Sequence, residues 1–166
     1  MAISEMARLG DNLEWKPGGK AKWDYTTGLF TFALLKLNEQ TNDPRDLEFA
    51  EDTIGSFITP DGEINGYKPQ DESLDNIAPG RTVLALWQVT HDERYRKAAA
   101  LLRRQLETQP RTGDGGFWHK QRYPHQMWLD GLYMAGPFYA EYAKLFDQPA
   151  DFNDVARQIR LADEHT

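Results

Sequence analysis

Three aspartates recur along the chain at nearly equal spacing. Asp24 stands in KWDYTTG, Asp75 in LDNIAPGR and Asp130 in MWLDG, and the separations are 51 and 55 residues. A carboxyl group can give or take a proton at physiological pH when its neighbours shift its pKa. These three side chains are therefore the first candidates for acid–base chemistry.

Of the three aspartates, Asp130 is the one that a structural role explains least well. It lies among apolar side chains in HQMWLDGLYMAGPF, where an unpaired buried charge would cost several kcal/mol. It follows Pro124 by six residues, so no need for a helix cap explains it. We expect a buried carboxyl whose pKa is raised by desolvation and by the charge of Asp75, with the helix N-terminus acting in the opposite direction. Such a group could both donate and accept a proton.

Asp24 and Asp75 differ in how well a structural role accounts for them. Aspartate is a common N-cap, and we interpret Asp24 mainly as the cap of the helix that follows it. Asp75 lies four residues before Pro79, too early for a simple cap of the next helix. A structural role and a chemical role both remain open for Asp75.

Histidines and cations close to Asp130 give weaker signals. His119, His125 and Asp130 are separated by six and five residues, which matches no standard ligand pattern, so we predict no metal site. A histidine that hydrogen-bonds a substrate hydroxyl is the favoured interpretation of His119. The basic cluster of this segment could hold a carboxylate through charge-assisted bonds or could be a solvated loop. It comprises His119, Lys120, Arg122 and His125.

Apolar periodicity predicts an all-α protein. Six segments have helical spacing, and Asp or Pro marks the start of several of them. The predicted helices cover 25–40, 44–58, 79–89, 93–109, 127–146 and 152–162. The first, third and fifth are apolar on most sides, which indicates buried helices, whereas the others carry one apolar stripe. A turn at Asp61 and Gly62 and a glycine-rich loop at 112–119 follow the first two pairs.

The helices form three similar units with a period of about 50 to 55 residues. Each unit has a buried helix, a short break and an outer helix, and the breaks begin at Thr41, Thr90 and Phe146. Helical hairpins of this kind stack around a shared core. We expect residues 1–166 to form one domain, an α/α toroid or a segment of one. Its inner helices would run parallel, so all three aspartates would lie at one mouth.

Aromatic side chains accompany these aspartates. Several stand in predicted loops, where filling a core does not explain them. They are Trp15, Trp23, Tyr25, Tyr67, Phe117, Trp118, Tyr123 and Trp128. Aromatic faces with polar groups nearby suit a concave site for a small, partly apolar ring compound.

The charge balance narrows the class of partner. The chain of 166 residues has 19 basic and 26 acidic side chains and a net charge of -7. This balance disfavours nucleic acid and anionic membranes as partners, and leaves small ligands possible. The sequence has no cysteine and no apolar run typical of a signal peptide or a transmembrane helix. We therefore expect a cytoplasmic protein.

Four motifs together resemble a known enzyme family. KWDYTTGLF, LDNIAPGR, GGFWHKQRYPHQMWLDGLYMAGPF and ADFNDVARQI are similar to sequences of the unsaturated rhamnogalacturonyl hydrolases of glycoside hydrolase family 105. They are more distantly similar to the unsaturated glucuronyl hydrolases of family 88. The resemblance implies an (α/α)6 barrel, no metal and no cofactor. It also implies a pectin-derived oligosaccharide that ends in a 4,5-unsaturated uronic acid.

The resemblance also implies a reaction and roles for individual residues. The reaction is hydration of the vinyl ether, in which Asp130 protonates C4 and helps water to attack C5, after which the hemiketal opens and the sugar leaves. Asp75 would assist and bind. The residues His119, Trp128 and Met127 would line the sugar pocket. Trp23 and Tyr25 would stand at its edge.

The number of hairpins departs from the family pattern. The family has six, whereas this chain has about three, so we expect a fragment, a truncated product or one half of an assembly that a second chain completes. Half a ring would expose the apolar edges of its inner helices. The alternative from another class is a non-catalytic helical-repeat module that binds a carbohydrate or a protein. An epimerase on a similar toroid would need catalytic histidines on later helices.

Overall fold

The computed structural model describes residues 1–10 and 20–165, and Trp15 lies outside this part of the chain. Seven α-helices occur among the described residues. They are α1 (Ala2–Leu9), α2 (Tyr25–Thr41), α3 (Pro44–Gly55), α4 (Gly80–Thr90), α5 (Glu93–Thr108), α6 (Leu129–Leu145) and α7 (Pro149–Glu164). Helices α2 to α7 confirm the six predicted segments. The 8 residues of α1 are too few for periodicity to reveal a helix.

Local sequence chemistry explains where α2, α3 and α5 begin. The Asp24 carboxylate accepts hydrogen bonds from the backbone N–H groups of Thr26 and Thr27 at 3.0 and 3.1 Å. Asp43 and Asp92 cap α3 and α5 in the same manner. These bonds satisfy N–H groups that have no partner within the helix. The interpretation of Asp24 as an N-cap is confirmed.

The breaks between helices repeat one backbone conformation. Asn42, His91 and Asp147 follow α2, α4 and α6 closely and have φ values of 53°, 56° and 51°. A residue in this left-handed region ends a helix and turns the chain back. The result is three hairpins, in which α2 packs on α3, α4 on α5 and α6 on α7. The inner helices α2, α4 and α6 are also in contact in that order, and so confirm the predicted toroid-type arrangement.

The contact between α2 and α4 is close because small residues form it. The Oγ1 atoms of Thr31 and Thr82 are 3.1 Å apart, and Thr82 Oγ1 also donates to the Gly28 carbonyl at 3.1 Å. A Cβ on Gly28 would lie 2.6 Å from the Cα of Pro79. Glycine at this position therefore sets the distance between the first two hairpins.

The inner helices are less buried than their apolar sequences predict. Large apolar side chains on their inner face are exposed, including Tyr25, Leu29 and Tyr133. The guanidinium of Arg81 lies 3.9 Å from the centre of the Phe32 ring and donates to the Tyr133 hydroxyl at 3.3 Å. This cation thus joins α2, α4 and α6 across the open face. The exposure agrees with the prediction that half a ring leaves the edges of its inner helices uncovered.

Loops return the chain from each outer helix to the next inner helix. Ile58 and Ile64 pair across the turn that contains Gly62, whose φ is 83°. Arg111 and Phe117 pair across the next return, and this second loop carries the chain to His119. A short 3-10 turn, Leu74–Asn76, precedes α4. Within the described part of the chain, no helix combines the length and the apolar character needed to cross a membrane.

Replacing Gly28 by alanine tests the close packing of α2 on α4. Gly28→Ala should lower the free energy of unfolding by about 1–3 kcal/mol, because the added methyl group meets backbone that cannot move aside. Gly113→Ala is the control, since a Cβ there meets nothing within 4 Å. Urea unfolding of both variants gives the comparison. Equal stability of the two variants would show that the helices can separate without cost.

Candidate active site

His119 lies at the centre of the site and is held by the backbone on both sides. Its side chain is only 1% exposed. The backbone N–H of His119 donates to the backbone carbonyl of Gln126 at 2.8 Å. The backbone carbonyl of His119 accepts from the N–H of Leu74 at 3.0 Å. The absence of a side chain at Gly131 lets α6 approach, because a Cβ there would lie 3.3 Å from Nδ1 of His119. The loop, the 3-10 turn and α6 therefore meet at this ring.

The imidazole ring of His119 stands between the two candidate acids. Its Nε2 is 3.2 Å from Oδ1 of Asp75, and its Nδ1 is 3.7 Å from Oδ1 of Asp130. Nδ1 is buried and has no hydrogen-bond partner among the described residues. Two of the three aspartates predicted to gather at one mouth, Asp75 and Asp130, thus lie on opposite nitrogens of one ring.

Asp75 is held as an anion by its neighbours. The ammonium of Lys120 bonds Oδ2 of Asp75, and Nε2 of His119 bonds Oδ1. Burial alone would raise the pKa of Asp75, but the hydrogen bonds from His119 and Lys120 and the positive charge of Lys120 outweigh it and lower that pKa. Asp75 caps no helix, which favours the chemical role over the structural one.

Trp128 covers one face of His119. The two rings are stacked with centres 4.5 Å apart and an angle of 4° between their planes, and Tyr123 lies against Trp128 at 4.8 Å. The indole N–H of Trp128 donates to Oε1 of Gln126 at 3.0 Å. Because Trp128 precedes α6 directly, this stack fixes the start of the helix that carries Asp130.

A polar cleft opens beside Asp75. Its volume is about 490 Å³, and it is lined by Asp24, Tyr25, Asp71, Ser73, Asp75, Asn76, Lys120, Gln121 and Arg122. Asp24 and Asp75 therefore border the same cleft, as the register of the inner helices predicts. Tyr25 lines it with an exposed ring, whereas Met127 lines an apolar groove between α6 and α7.

The expectation that Asp130 is buried is wrong. Its side chain is 52% exposed. Asp130 lies in the first turn of α6, and the apolar side chains of Leu129 and Tyr133 close to it in sequence are exposed as well.

Trp23 and His125 lie away from the cluster. Trp23 is 5% exposed and packs in the core, where its indole N–H donates to the carbonyl of Asn76 at 2.9 Å. The structure leaves it no surface at the edge of a pocket, contrary to the expectation. His125 is exposed and lies against the ring of Trp118 at 4.6 Å, so it does not share a site with His119.

A cation could be bound by three side chains of this site, those of Asp75, His119 and Asp130. Their ligand atoms all lie within 4.8 Å of one another. Two features count against that use. The nitrogens of His119 face different carboxylates, so one ion could take only one of them. The ammonium of Lys120 already neutralises Asp75 and would repel a cation.

Lys120 is a site residue that the sequence identifies only as part of a basic cluster. The 45 positions between Asp75 and Lys120 conceal the pairing, because neither residue lies in a helix whose period would bring them together. A cation next to His119 in a loop gives no more specific signal than a solvated surface. Tyr123 appears in the sequence only as one of several loop aromatics.

One known protein family matches the whole chain. The family model described as Glycosyl Hydrolase Family 88 matches residues 1–166. The chain belongs to this family. The family 88 chain is also 26% identical, over 143 residues, to an unsaturated rhamnogalacturonyl hydrolase, YesR, of Bacillus subtilis. This alignment covers 82% of the chain and 40% of YesR.

Solved structures confirm the fold of this family 88 chain. A glycoside hydrolase from family 105 of C. acetobutylicum superposes with a TM-score of 0.86 and 36% identity, over 96% of this chain and 43% of that one. A possible family 105 member from Klebsiella pneumoniae has a TM-score of 0.69 and 22% identity, over 84% and 36% of the two chains. The resemblance drawn from the motifs is confirmed. The chain spans about two fifths of the length of these relatives.

The charge of Asp75 predicts a pH dependence of stability. Its pKa is lowered in the folded state, so its contribution is present above the unfolded pKa of about 3.9 and is lost as the pH falls through the folded value. Asp75→Asn should lower the free energy of unfolding by about 1–3 kcal/mol at neutral pH.

The difference between wild type and Asp75→Asn should shrink below about pH 4. Urea unfolding at a series of pH values measures it. Glu63→Gln, at an exposed position, should follow the wild-type curve. A constant difference at all pH values would contradict an ionised, stabilising Asp75.

Proposed function

We propose that the chain contributes the acid–base centre of a glycoside hydrolase that removes a 4,5-unsaturated uronic acid from the non-reducing end of pectin-derived oligosaccharides. This proposal is supported above all by the position of Asp75 and Asp130 next to opposite nitrogens of the His119 ring. The name of YesR supports an unsaturated rhamnogalacturonyl substrate. A single domain over 1–166 and a cytoplasmic location stay predictions.

Asp130 is the proposed proton carrier. It donates its proton to C4 of the double bond, which leaves positive charge at C5, stabilised by the ring oxygen. Water adds to C5 and returns one proton to Asp130, so the enzyme is regenerated. The resulting hemiketal opens by cleavage of the bond between C5 and the ring oxygen, and the hemiacetal left at C1 then releases the sugar as an alcohol.

The state of Asp75 favours this hydration over direct displacement. A retaining glycosidase needs a second carboxylate that is free to attack the anomeric carbon. Both oxygens of Asp75 are engaged, one by His119 and one by Lys120, and its side chain is largely buried. Asp75 is therefore suited to orient and assist, and Asp130, with its exposed side chain, is suited to reach the substrate.

Turnover of an unsaturated uronyl disaccharide tests the proposal. Asp130→Asn should slow the loss of ultraviolet absorbance of the double bond by at least about 100-fold, because the amide cannot supply a proton. Binding, followed by tryptophan fluorescence, should persist. Asp163→Asn, on an exposed position of α7, should react at the wild-type rate. Undiminished turnover by Asp130→Asn would reject the proposal.

A non-catalytic carbohydrate-binding module is the second candidate. The open inner face favours it. The same assay distinguishes the two candidates, since a module would bind the disaccharide without consuming it. Wild-type binding with no turnover would therefore support the module and contradict catalysis by this chain alone.

We also propose that further helical hairpins, supplied by a longer chain or by a second chain, pack against this one. A groove of about 380 Å³ runs between α6 and α7, and its lining is almost wholly apolar. Leu132, Pro137, Val155 and Ile159 are among its lining residues. In a toroid the next hairpin packs on this side, and an exposed apolar patch of this kind is typical of a contact surface.

Sedimentation velocity tests whether this groove is a contact surface. The chain should self-associate as its concentration rises, and Ile159→Lys should reduce the association. Ile3→Lys is the matched control, because the two isoleucines are 56% and 53% exposed and only Ile159 lines the groove. A wild-type chain that stays monomeric throughout would contradict the groove as a contact surface.

A further inference from the structure

The buried Nδ1 of His119 lacks a hydrogen-bond partner among the described residues. Such an atom is costly unless it finds a partner or has a function. The carboxylate of Asp130 lies on its side at 3.7 Å, which exceeds the usual hydrogen-bond distance by about 0.8 Å. Because the side chain of Asp130 is half exposed, a small rotation can close this gap.

The opposite side of the ring determines what Nδ1 can do. An ionised carboxylate only accepts hydrogen bonds. Asp75 is such an acceptor, because Lys120 pairs with its second oxygen. Nε2 of His119 must therefore carry the hydrogen that bonds Asp75. In a neutral imidazole only one nitrogen carries hydrogen, so Nδ1 presents a lone pair.

The pairing of Lys120 with Asp75 sets the charge on the Nε2 side of the ring. The two charges cancel one another at close range, so Asp75 alone does not require an imidazolium. Trp128 covers one face of the ring and excludes water from it, and Tyr123 lies against Trp128. On the other side of the ring, among the residues that the structure describes, the carboxyl of Asp130 faces Nδ1.

We propose that Lys120 is a positioning residue: by pairing with Asp75 it fixes the Nε2–H form of His119 and directs the Nδ1 lone pair at Asp130. In the proposed reaction this lone pair accepts a hydrogen bond from Asp130 when that carboxyl carries the proton. This inference rests on the proposed function, and it gives Nδ1 of His119, which has no hydrogen-bond partner among the described residues, a role in the proton transfer. Lys120 acts through Asp75 and His119 and need not touch the reacting atoms.

The ¹⁵N NMR spectrum of histidine-labelled full-length chain tests the proposal without any need for turnover. Protonated and unprotonated ring nitrogens resonate far apart, and the chain has 4 histidines, so His119→Gln identifies the signals of His119. At pH 7 the wild type should show a neutral ring with hydrogen on Nε2. Hydrogen on Nδ1, or on both nitrogens, would overturn the proposal.

Variants of Lys120 separate positioning from mere proximity. Lys120→Gln should add the other ring forms to the His119 spectrum, whereas Lys120→Arg, which keeps the charge, should preserve the wild-type pattern. An unchanged spectrum in Lys120→Gln would overturn the proposal. Circular dichroism of each variant checks that the chain is folded, and a variant that unfolds is replaced by Lys120→Met, which keeps the length of the side chain.

Kinetics supply a second readout. Loss of the correct histidine form in a catalytic group can cost up to about 10⁴-fold in rate. Lys120→Gln should therefore lower kcat by at least about tenfold with little change in KM, and Lys120→Arg should restore most of the rate. A rise in KM with unchanged kcat would instead make Lys120 a substrate-binding residue. Failure of the hydrolase proposal appears separately, in the assay of Asp130→Asn.

Discussion

The buried ring of His119 is the contact on which the rest of the site depends. Two backbone hydrogen bonds hold its residue between Leu74 and Gln126, and Trp128 stacks on its face. Because the ring is fixed in this way, it cannot turn toward other side chains. The 3-10 turn before α4 must bring Asp75 to one nitrogen, and the first turn of α6 must bring Asp130 to the other.

The repeated hairpins could be predicted because their signals are local. An aspartate that caps a helix acts within three residues, as Asp24 does, and the left-handed residue after each inner helix acts within one turn. The left-handed residue recurs after all three inner helices, and an aspartate cap recurs at the start of α3 and α5. The stacking of the hairpins follows from the apolar faces that remain once each pair has formed.

The environment of individual site residues could not be predicted in the same way. Apolar neighbours in sequence suggest that Asp130 is buried, yet a helix sends successive side chains in different directions, and this one points to the open side. Trp23 shows the reverse error, since a residue just before a helix proved to be core. The pairing of Lys120 with Asp75 depends on the loop path alone.

The open inner face and the proton of Asp130 are connected. The side chain of Asp130 is half exposed, so its proposed role cannot depend on desolvation, the usual way of keeping a carboxyl neutral. A fixed acceptor can act instead, because a hydrogen bond to the protonated form does not require burial of the acid itself. Lys120, Asp75 and His119 supply that acceptor from residues of this chain. The further hairpins that we propose would add desolvation of Asp130 to the effect of this acceptor, so the two effects would act in the same direction.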